Sequence, residues 1–189
     1  MSKVMVETSA RHIHLTAETV EALFGAGYQL TKKKDLSQPG QYACAEKVEV
    51  VGPKGSLMMS ILGPVRSANQ VEVSFTDARA LGITAPVRES GDIAGTPGAV
   101  LRVGDRTVTL TEGVIVAKRH IHLTPEVAET MGVTDKQIVR VRISGTGRAT
   151  VFDDVVIRVK SSFAPAMHID TDECNASAAF GQVEGEILL

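Results

Sequence analysis

A six-residue segment that occurs twice constrains this chain more than any other feature of its sequence. The segment, Arg-His-Ile-His-Leu-Thr, begins at Arg11 and is repeated letter for letter from Arg119, and its two copies hold four of the five histidines. Side chains alternate between faces on an extended segment, so the two imidazoles of each copy share a face and form a pair of candidate metal ligands. A single pair could pack or be exposed by accident, but its duplication favours a metal site.

Each copy is predicted to lie where a strand turns into a helix. The first copy follows a β run at residues 4–6 and precedes helical spacing over residues 17–24, with Thr16 as the N-cap and Gly25 as the stop. The second copy has matching surroundings, namely a buried strand at residues 113–117, the cap Thr124, Pro125 at the first helical position and the terminating Gly132. This internal repeat predicts two related halves that meet at their histidines.

Most of the remaining chain is predicted to form short strands. Residues 25–44 look irregular, and we interpret them as an inserted excursion. The predicted strands are residues 47–51, 57–62, 70–75, 100–103, 106–110, 138–143, 149–152 and 155–159. Many short Val-rich strands with few helices indicate a mostly β fold, built from closed or nearly closed barrels with short capping helices.

The composition excludes several classes of partner. The chain has 189 residues, 43% of them hydrophobic, and a net charge of -2, so neither nucleic acid nor an anionic membrane is expected as its main partner. No segment has the length and apolar character of a signal peptide or a membrane span. Cys44 and Cys174 are too few for a disulfide framework, which favours a reducing, intracellular environment with both thiols as small buried hydrophobic groups.

Four further residues could contribute to the chemistry. Glu72 shares a strand face with Gln70 and Ser74 and could complete a site with His12 and His14, although a solvated strand residue is the competing interpretation. The other three follow, each with its simpler alternative. Arg66 could bind an anion through its guanidinium or could be a solvated surface arginine. His168 could be the third nitrogen ligand of the second site or a histidine packed in the core. Asp170 could be an outer-shell partner of His168 or could have no role in the site.

The motifs taken together resemble a known family. They are the two duplicated corners, residues 63–66 followed by 70–74, residues 85–92 and residues 167–173. Their combination over nearly the whole chain is similar to the PduL-type phosphotransacylases, the phosphate acyltransferases that include phosphate propanoyltransferase. The resemblance implies two β-barrels with a two-zinc site between them. It also implies interconversion of an acyl-CoA plus phosphate with an acyl-phosphate plus coenzyme A, the acyl group being propanoyl or acetyl.

The resemblance also assigns roles to individual residues. It makes Arg66 the catalytic arginine that positions phosphate. One zinc is expected on His12, His14 and Glu72, and the other on His120, His122 and His168. Coenzyme A is expected to contact Ser9, Lys34, Leu62 and Asn175. Because no residue has the sequence context of an activated nucleophile, we expect phosphate to attack the thioester directly.

Domain organisation and cellular context are implied in the same way. The first barrel is expected to combine residues 1–10 with 118–189, and the second to comprise residues 11–117, with 25–44 inserted. A homodimer is expected. The family is related to bacterial microcompartments and propanediol degradation, but microcompartment members carry an amphipathic N-terminal extension. Only eight residues precede Ser9 here, so a cytoplasmic location is expected.

Three other functions fit part of the sequence. A bicupin would bind one metal through His12, His14 and Glu18 and another through His120, His122 and Glu126, which have the same spacing. However, both glutamates are predicted to lie at the start of helices, not on the continuing β scaffold that a cupin uses. A two-zinc hydrolase would activate water instead of phosphate. A metal-stabilised scaffold would hold its ions in closed four-ligand sites with no enzymatic role.

Overall fold

A computed structural model describes residues 2–189, which form fifteen strands and four short helices. The strands are β1 (Ser2–Thr8), β2 (His12–His14), β3 (Lys32–Asp35), β4 (Tyr42–Val51), β5 (Ser56–Gly63), β6 (Gln70–Glu72), β7 (Val87–Arg88), β8 (Val100–Val103), β9 (Arg106–Thr109), β10 (Val114–Ala117), β11 (His120–Leu123), β12 (Ile138–Ile143), β13 (Thr150–Val159), β14 (Ala166–Ile169) and β15 (Val183–Leu188). The helices are α1 (Ala17–Phe24), α2 (Phe75–Leu81), α3 (Pro125–Met131) and α4 (Thr171–Ser177). None of the helices in this described part is long and apolar enough to cross a membrane.

The chain divides into two compact units, and the first of them is formed by two segments that are separated in the sequence by the other unit. One unit combines the residues up to Ala10 with Lys118–Leu189, and the other comprises Arg11–Ala117. We call them the terminal unit and the central unit. Both changes of unit fall just before a copy of the duplicated segment. Arg11 starts the central unit, and Lys118, the residue before Arg119, starts the return to the terminal unit.

The terminal unit is a closed barrel of six strands, in the order β1, β14, β11, β13, β12 and β15. Its core is apolar, and β12 shows how the sequence produces it. Val139, Val141 and Ile143 on this strand are buried while the residues between them are exposed, which is the period of two expected for a strand with one face on the core.

The central unit contains a nine-stranded sheet in the order β7, β10, β6, β2, β5, β4, β8 and β9, with β3 paired to β4. Its core is a second cluster of apolar side chains that includes Ile13, Ile61 and Leu101, all fully buried. The mostly β fold with short capping helices is therefore confirmed, with one closed barrel and one large sheet.

The repeat predicted from the duplicated segment extends to a set of six strands in each unit. In the barrel, β1, β14, β11, β13, β12 and β15 are joined by pairings that run parallel, antiparallel, parallel, antiparallel and antiparallel. In the central sheet, β10, β6, β2, β5, β4 and β8 follow the same succession of directions. The two units are thus built on one topology, and each duplicated segment occupies the third strand of its set.

Both helices predicted after the duplicated segments are confirmed, and two others were missed. Thr16 and Thr124 accept a hydrogen bond from the backbone N–H three residues ahead, as N-caps do. The missed helices α2 and α4 begin after Ser74 and Asp170, and each has a capping box.

Some predicted strand boundaries were wrong. The strand predicted at residues 70–75 ends at Glu72 because Ser74 caps α2, so Ser74 does not continue the strand face of Glu72. The excursion at residues 25–44 includes the strand β3, which pairs with β4. The strands predicted at 149–152 and 155–159 are one strand, β13, in which Asp154 has a positive φ of 54°.

Candidate metal centres

The duplicated segments place their histidines on the face of the sheet that points away from the core. Ile13 and Ile121, the residues between the two histidines of each copy, are fully buried in the apolar clusters. The alternation of a strand then directs the flanking imidazoles to the opposite face. The apolar residues of each segment therefore anchor it, and its histidines remain available for chemistry.

The first metal group consists of His12, His14 and Glu72, all buried. β2 and β6 are antiparallel neighbours, and their register sets His12 directly opposite Glu72. The two histidine Nε2 atoms are 3.2 Å apart, and the Glu72 carboxylate lies 3.4 Å from Nε2 of His12 and 3.8 Å from Nε2 of His14. Two ligand atoms on a tetrahedral zinc stand roughly 3.3 Å apart, so the three side chains have the spacing of zinc ligands.

Electrostatics keeps His14 neutral and Glu72 ionised, the protonation states that a metal requires. Burial is the main cause that lowers the pKa of His14 to about 3, and the charges of His12 and Arg66 act in the same direction. Burial opposes ionisation of Glu72, but its interactions with the two imidazoles and a hydrogen bond from Ser90 outweigh it and lower the pKa of the carboxyl. A neutral imidazole and an ionised carboxylate are the forms that bind cations.

Outer-shell hydrogen bonds hold the ligands of the first group in place. His14 Nδ1 lies 3.2 Å from the carbonyl oxygen of Leu62, which leaves Nε2 for the metal. Glu72 Oε1 accepts hydrogen bonds from Gln70 Nε2 at 2.6 Å and from Ser90 Oγ at 3.0 Å. Such partners orient metal ligands and tune them. Gln70 and Ser90 were not predicted in this role, because only the folded loop brings Ser90 to the strand.

The second metal group consists of His120, His122 and His168. The antiparallel register of β11 and β14 sets His168 opposite His120, as Glu72 stands opposite His12 in the first group. The three ring centroids are 4.6 to 5.2 Å apart. Glu72 and His168 therefore occupy equivalent places in the repeat.

Outer-shell contacts are also present in the second group. His120 Nδ1 lies 2.9 Å from the carbonyl oxygen of Lys118, and His168 Nδ1 lies 3.8 Å from Glu7 Oε2. Asp170, which we predicted as the outer-shell partner of His168, instead accepts a hydrogen bond from the backbone N–H of Glu173 and caps α4. Glu7 is the carboxylate that stands in register with His168 on β1.

His122 has an unsatisfied buried atom that a cation in the second group would account for. Its Nδ1 atom is buried and has no hydrogen-bond partner among the residues that the structure describes. Burial chiefly lowers the pKa of His122 to about 2, helped by His120, His168 and Arg158. A buried polar atom without a partner is costly, and a bound metal in this cluster would give the ring a partner.

The donor sets of both groups fit zinc of the catalytic kind. Each offers three protein ligands, two histidines and a glutamate in one case and three histidines in the other. Structural zinc sites are closed by four protein ligands, whereas catalytic sites use three and leave a position for water or substrate. The residues present therefore fit a reactive metal better than the metal-stabilised scaffold considered above.

Arg66 is brought to the first metal group. Its backbone N–H donates to the carbonyl oxygen of Leu15, the residue after His14, at 2.8 Å. Its side chain is half-buried, and its charge contributes to the low pKa of His14. The turn that carries it contains the cis peptide bond Gly63–Pro64. The candidate catalytic arginine and the first metal group thus share one corner of the central unit.

The four residues expected to contact coenzyme A lie in both units. Leu62, on β5, offers its carbonyl oxygen to His14, and Lys34 is exposed on β3. Ser9 donates its backbone N–H to Ile169, next to His168, at 2.8 Å, and Asn175 is exposed on α4. Leu62 and Ser9 thus lie beside metal-group residues, whereas Lys34 and Asn175 lie on exposed positions of β3 and α4.

The glutamates that a bicupin would need are placed elsewhere. Glu18 and Glu126 lie in the first turns of α1 and α3 and are exposed, where hydrogen bonds at the helix N-terminus lower the pKa of each. The third ligand positions are occupied by Glu72 and His168. The bicupin interpretation is therefore not favoured.

The structure is that of a mostly β protein with two candidate metal groups, built on one repeat. The chain belongs to the phosphate propanoyltransferase family, whose model matches residues 5–179. This confirms the resemblance noted in the sequence and makes the chain a transferase, with family support for phosphate acyltransferase activity.

Similar curated relatives match the chain over nearly its whole length. The phosphate propanoyltransferase of Listeria monocytogenes is 56% identical over 186 residues, covering 98% of this chain and 87% of the relative. That of Enterococcus faecalis is 57% identical over 184 residues, covering 97% and 87%. That of Thermotoga maritima is 53% identical over 176 residues, covering 92% and 83%.

Proposed function

We propose that this chain interconverts a short-chain acyl-CoA, propanoyl-CoA or acetyl-CoA, plus phosphate with the acyl-phosphate plus coenzyme A. The observation that carries the proposal is the placement of an arginine beside a three-ligand metal group in a chain of the phosphate propanoyltransferase family. The substrates follow from the family name together with the need for both an anion site and an electrophilic metal.

The proposed cofactors are two zinc ions, one held by His12, His14 and Glu72 and the other by His120, His122 and His168. Bound zinc would supply a Lewis acid that polarises a carbonyl or stabilises developing negative charge. His14 and His122 provide neutral imidazoles and Glu72 an ionised carboxylate, all in a buried setting, where electrostatic interactions are stronger than in water. Both groups are proposed to serve one reaction.

Arg66 is proposed to hold and align the phosphate substrate. A guanidinium donates two parallel charge-assisted hydrogen bonds to a phosphate, which fixes its orientation as well as its position. The backbone hydrogen bond to Leu15 ties the arginine to the segment that carries His14. Alignment of a nucleophile in this way lowers the barrier by removing orientational freedom before the reaction.

We further propose that phosphate attacks the thioester without an acyl-enzyme. Both thiols are buried, Cys44 and Cys174 being 3% and 4% exposed. Burial raises the pKa of Cys44 to about 11, which makes it a poor nucleophile at neutral pH. A stable acyl adduct on either cysteine, recovered by mass spectrometry after quenching in mid-turnover, would overturn this step.

Coenzyme A is proposed to contact Ser9, Lys34, Leu62 and Asn175. Lys34 is the one cation of this set, and its exposed ammonium group suits a phosphate of the cofactor. Lys34→Met should therefore raise the KM for acyl-CoA while the KM for phosphate stays near the wild-type value. Lys54→Met, which removes an exposed lysine from a turn of the same unit, is the control.

One assay tests the proposed function. Release of coenzyme A thiol is followed with acetyl-, propanoyl- and longer acyl-CoAs, with and without phosphate, and the zinc content of the same sample is measured. We expect release only with phosphate, and about two zinc ions per chain. Release that is independent of phosphate would instead support the two-zinc hydrolase. No release with any acyl-CoA would overturn the proposal.

A further inference from the structure

The arginine that opens each duplicated segment forms an ion pair at an equivalent place in the two units. Arg11 Nη1 lies 2.6 Å from Asp77 Oδ1 on α2, and Arg119 Nε lies 2.8 Å from Glu173 Oε1 on α4. In both cases the carboxylate belongs to the helix that follows the third metal ligand. Nothing in the proposed reaction uses these arginines, although they are part of the repeat.

Both carboxylates already have a second task at the start of their helices. Asp77 forms a capping box with Ser74, and Glu173 forms one with Asp170. Each N-cap residue follows the third ligand of its group by two residues: Ser74 follows Glu72, and Asp170 follows His168. The capping box therefore fixes the direction in which the chain leaves the third ligand. The arginine in turn forms an ion pair with the carboxylate of that capping box.

The arginine also adjoins the first ligand of its group. Arg11 precedes His12 and Arg119 precedes His120, and the registers of the strand pairs set these histidines directly opposite Glu72 and His168. Each ion pair thus bridges the two strands at the end where the third ligand turns into its helix. We call each such ion pair, with its capping box, an arginine brace.

The burial of the carboxylates makes the braces energetically significant. The side chain of Asp77 is 8% exposed and that of Glu173 is 18% exposed. A carboxylate removed from water depends on its partner, and loss of that partner leaves an uncompensated charge that the structure relieves by moving. The movement would begin two to five residues from the third metal ligand.

We propose that Arg11 and Arg119 are positioning residues that fix the third ligand of their own metal group opposite the first. They touch neither metal nor substrate. The proposal rests on the proposed metal function, and it explains why the repeated segment begins with arginine. Each brace serves only its own unit, so the two can be disrupted separately.

Zinc affinity tests this proposal without use of the catalytic assay. Zinc is removed from the full-length chain with a chelator, and the two dissociation constants are measured by competition with a chromogenic chelator. Arg11→Met should weaken one of the two zinc sites about tenfold, the lower end of the usual effect of an outer-shell change, and leave the other unchanged. Arg119→Met should weaken the other site alone.

Matched variants separate positioning from general stability. Arg102→Met removes an arginine that pairs with Glu49 at 2.7 Å on strands without metal ligands, and both zinc affinities should stay at wild-type values. Asp77→Asn keeps a capping oxygen but loses the charge, and it should reproduce the effect of Arg11→Met. The double variant should be no weaker than either single one, because both changes break one brace.

Conservative replacements keep the test decisive if a methionine variant is poorly folded. Arg11→Lys retains the charge and should restore most of the affinity. Arg119→Lys should restore less, because the Arg119 guanidinium also lies 5.2 Å from the centre of the Phe152 ring, a contact that suits its planar shape. Glu173→Gln should match Arg119→Met.

The outcomes distinguish the brace from the metal function. Wild-type protein that binds no zinc would overturn both proposals. Wild-type protein that binds two zinc ions, with variants whose affinities stay within twofold, would overturn the brace alone. Equal weakening of both sites by a single arginine variant would overturn it as well, because a general loss of stability would then explain the effect.

Discussion

The two metal groups have the same construction and different chemistry. In each, a His-Ile-His strand pairs with an antiparallel strand whose third ligand stands opposite the first histidine. That third ligand is Glu72 in one group and His168 in the other. A divalent cation bound by two histidines and Glu72 would give a site with a net charge of about +1, because the carboxylate is negative. The same cation bound by three neutral imidazoles would give a net charge of about +2. The all-histidine group is therefore expected to hold the stronger electrophile.

The two metal groups also differ in the basic residue that is hydrogen-bonded to the duplicated segment. The residue whose backbone N–H donates to the leucine carbonyl of the duplicated segment is Arg66 in the central unit and Lys160 in the terminal unit. A guanidinium offers a planar fork to phosphate, whereas an ammonium is a point charge. If the proposed roles hold, the comparison teaches that one repeat has been specialised into an anion-positioning corner and a more electrophilic one.

Removal of a metal ligand should have the largest effect. His12→Ala and His120→Ala should each cost on the order of 10³-fold in kcat/KM, because each removes Lewis-acid stabilisation worth several kcal/mol. Zinc measured on the purified variants should fall by one ion per chain. Glu18→Ala and Glu126→Ala serve as controls and should retain both zinc and activity. Loss of both ions from either histidine variant would break the separation of the two groups.

Arg66 and Lys160, which occupy equivalent places in the two units, should differ in their effect on kcat. Arg66→Met should lower kcat by about 10²-fold to 10³-fold, as expected when a donor to developing charge is lost. Lys160→Met should lower it less than about tenfold, since an exposed point charge positions phosphate weakly. Steady-state rates at varied phosphate and acyl-CoA measure both. Equal losses for the two variants would contradict specialisation of the corners.

The buried isoleucines of the duplicated segments compare the stability of the two cores. Ile13 and Ile121 are both 0% exposed and occupy the same place in the repeat. Each Ile→Ala change should lower the free energy of unfolding by about 2–5 kcal/mol, through lost burial and the cavity that remains. Denaturant unfolding of the metal-free protein measures this. A loss below about 1 kcal/mol in either variant would show that its core closes around the cavity.

The cysteines should give the smallest signal, and they report on each unit separately. Cys44 lies in the core of the central unit and Cys174 in that of the terminal unit. Because burial raises the pKa of Cys44 to about 11, iodoacetamide should not modify it in the folded protein at pH 8. Folding should also lose stability as pH rises from about 9 to 11, since only the unfolded thiol then ionises.

Alkylation at increasing denaturant, read by peptide mass spectrometry, would show which unit opens first. Rapid modification of Cys44 without denaturant at pH 8 would contradict its burial.

The sequence predicted what is local and what is repeated. The duplicated histidines, the caps Thr16 and Thr124 and the short helices after them follow from spacing alone, and the structure has them. Glu72 and His168 were open candidates from the sequence pattern, and only the family resemblance made them expected ligands, because nothing in their own neighbourhoods distinguishes a ligand from a strand residue. Their equivalence depends on strand register, which one sequence does not show.

What the sequence analysis missed has a common physical cause. The helices α2 and α4 are only seven residues long, and the strand predicted at residues 70–75 overlapped the start of α2. Ser90, Glu7 and the arginine braces act through contacts between residues distant in the chain. Partners of this kind follow from the pairing of strands, not from local spacing. The homodimer and the cytoplasmic location stay predictions.

Stepwise zinc titration of the metal-free protein, with phosphate-dependent release of coenzyme A measured at each step, tests the central claim most directly. If both groups serve one reaction, activity should stay low through the first equivalent of zinc and rise to its full value with the second. Full activity after one equivalent, or full activity with no zinc at all, would contradict the account.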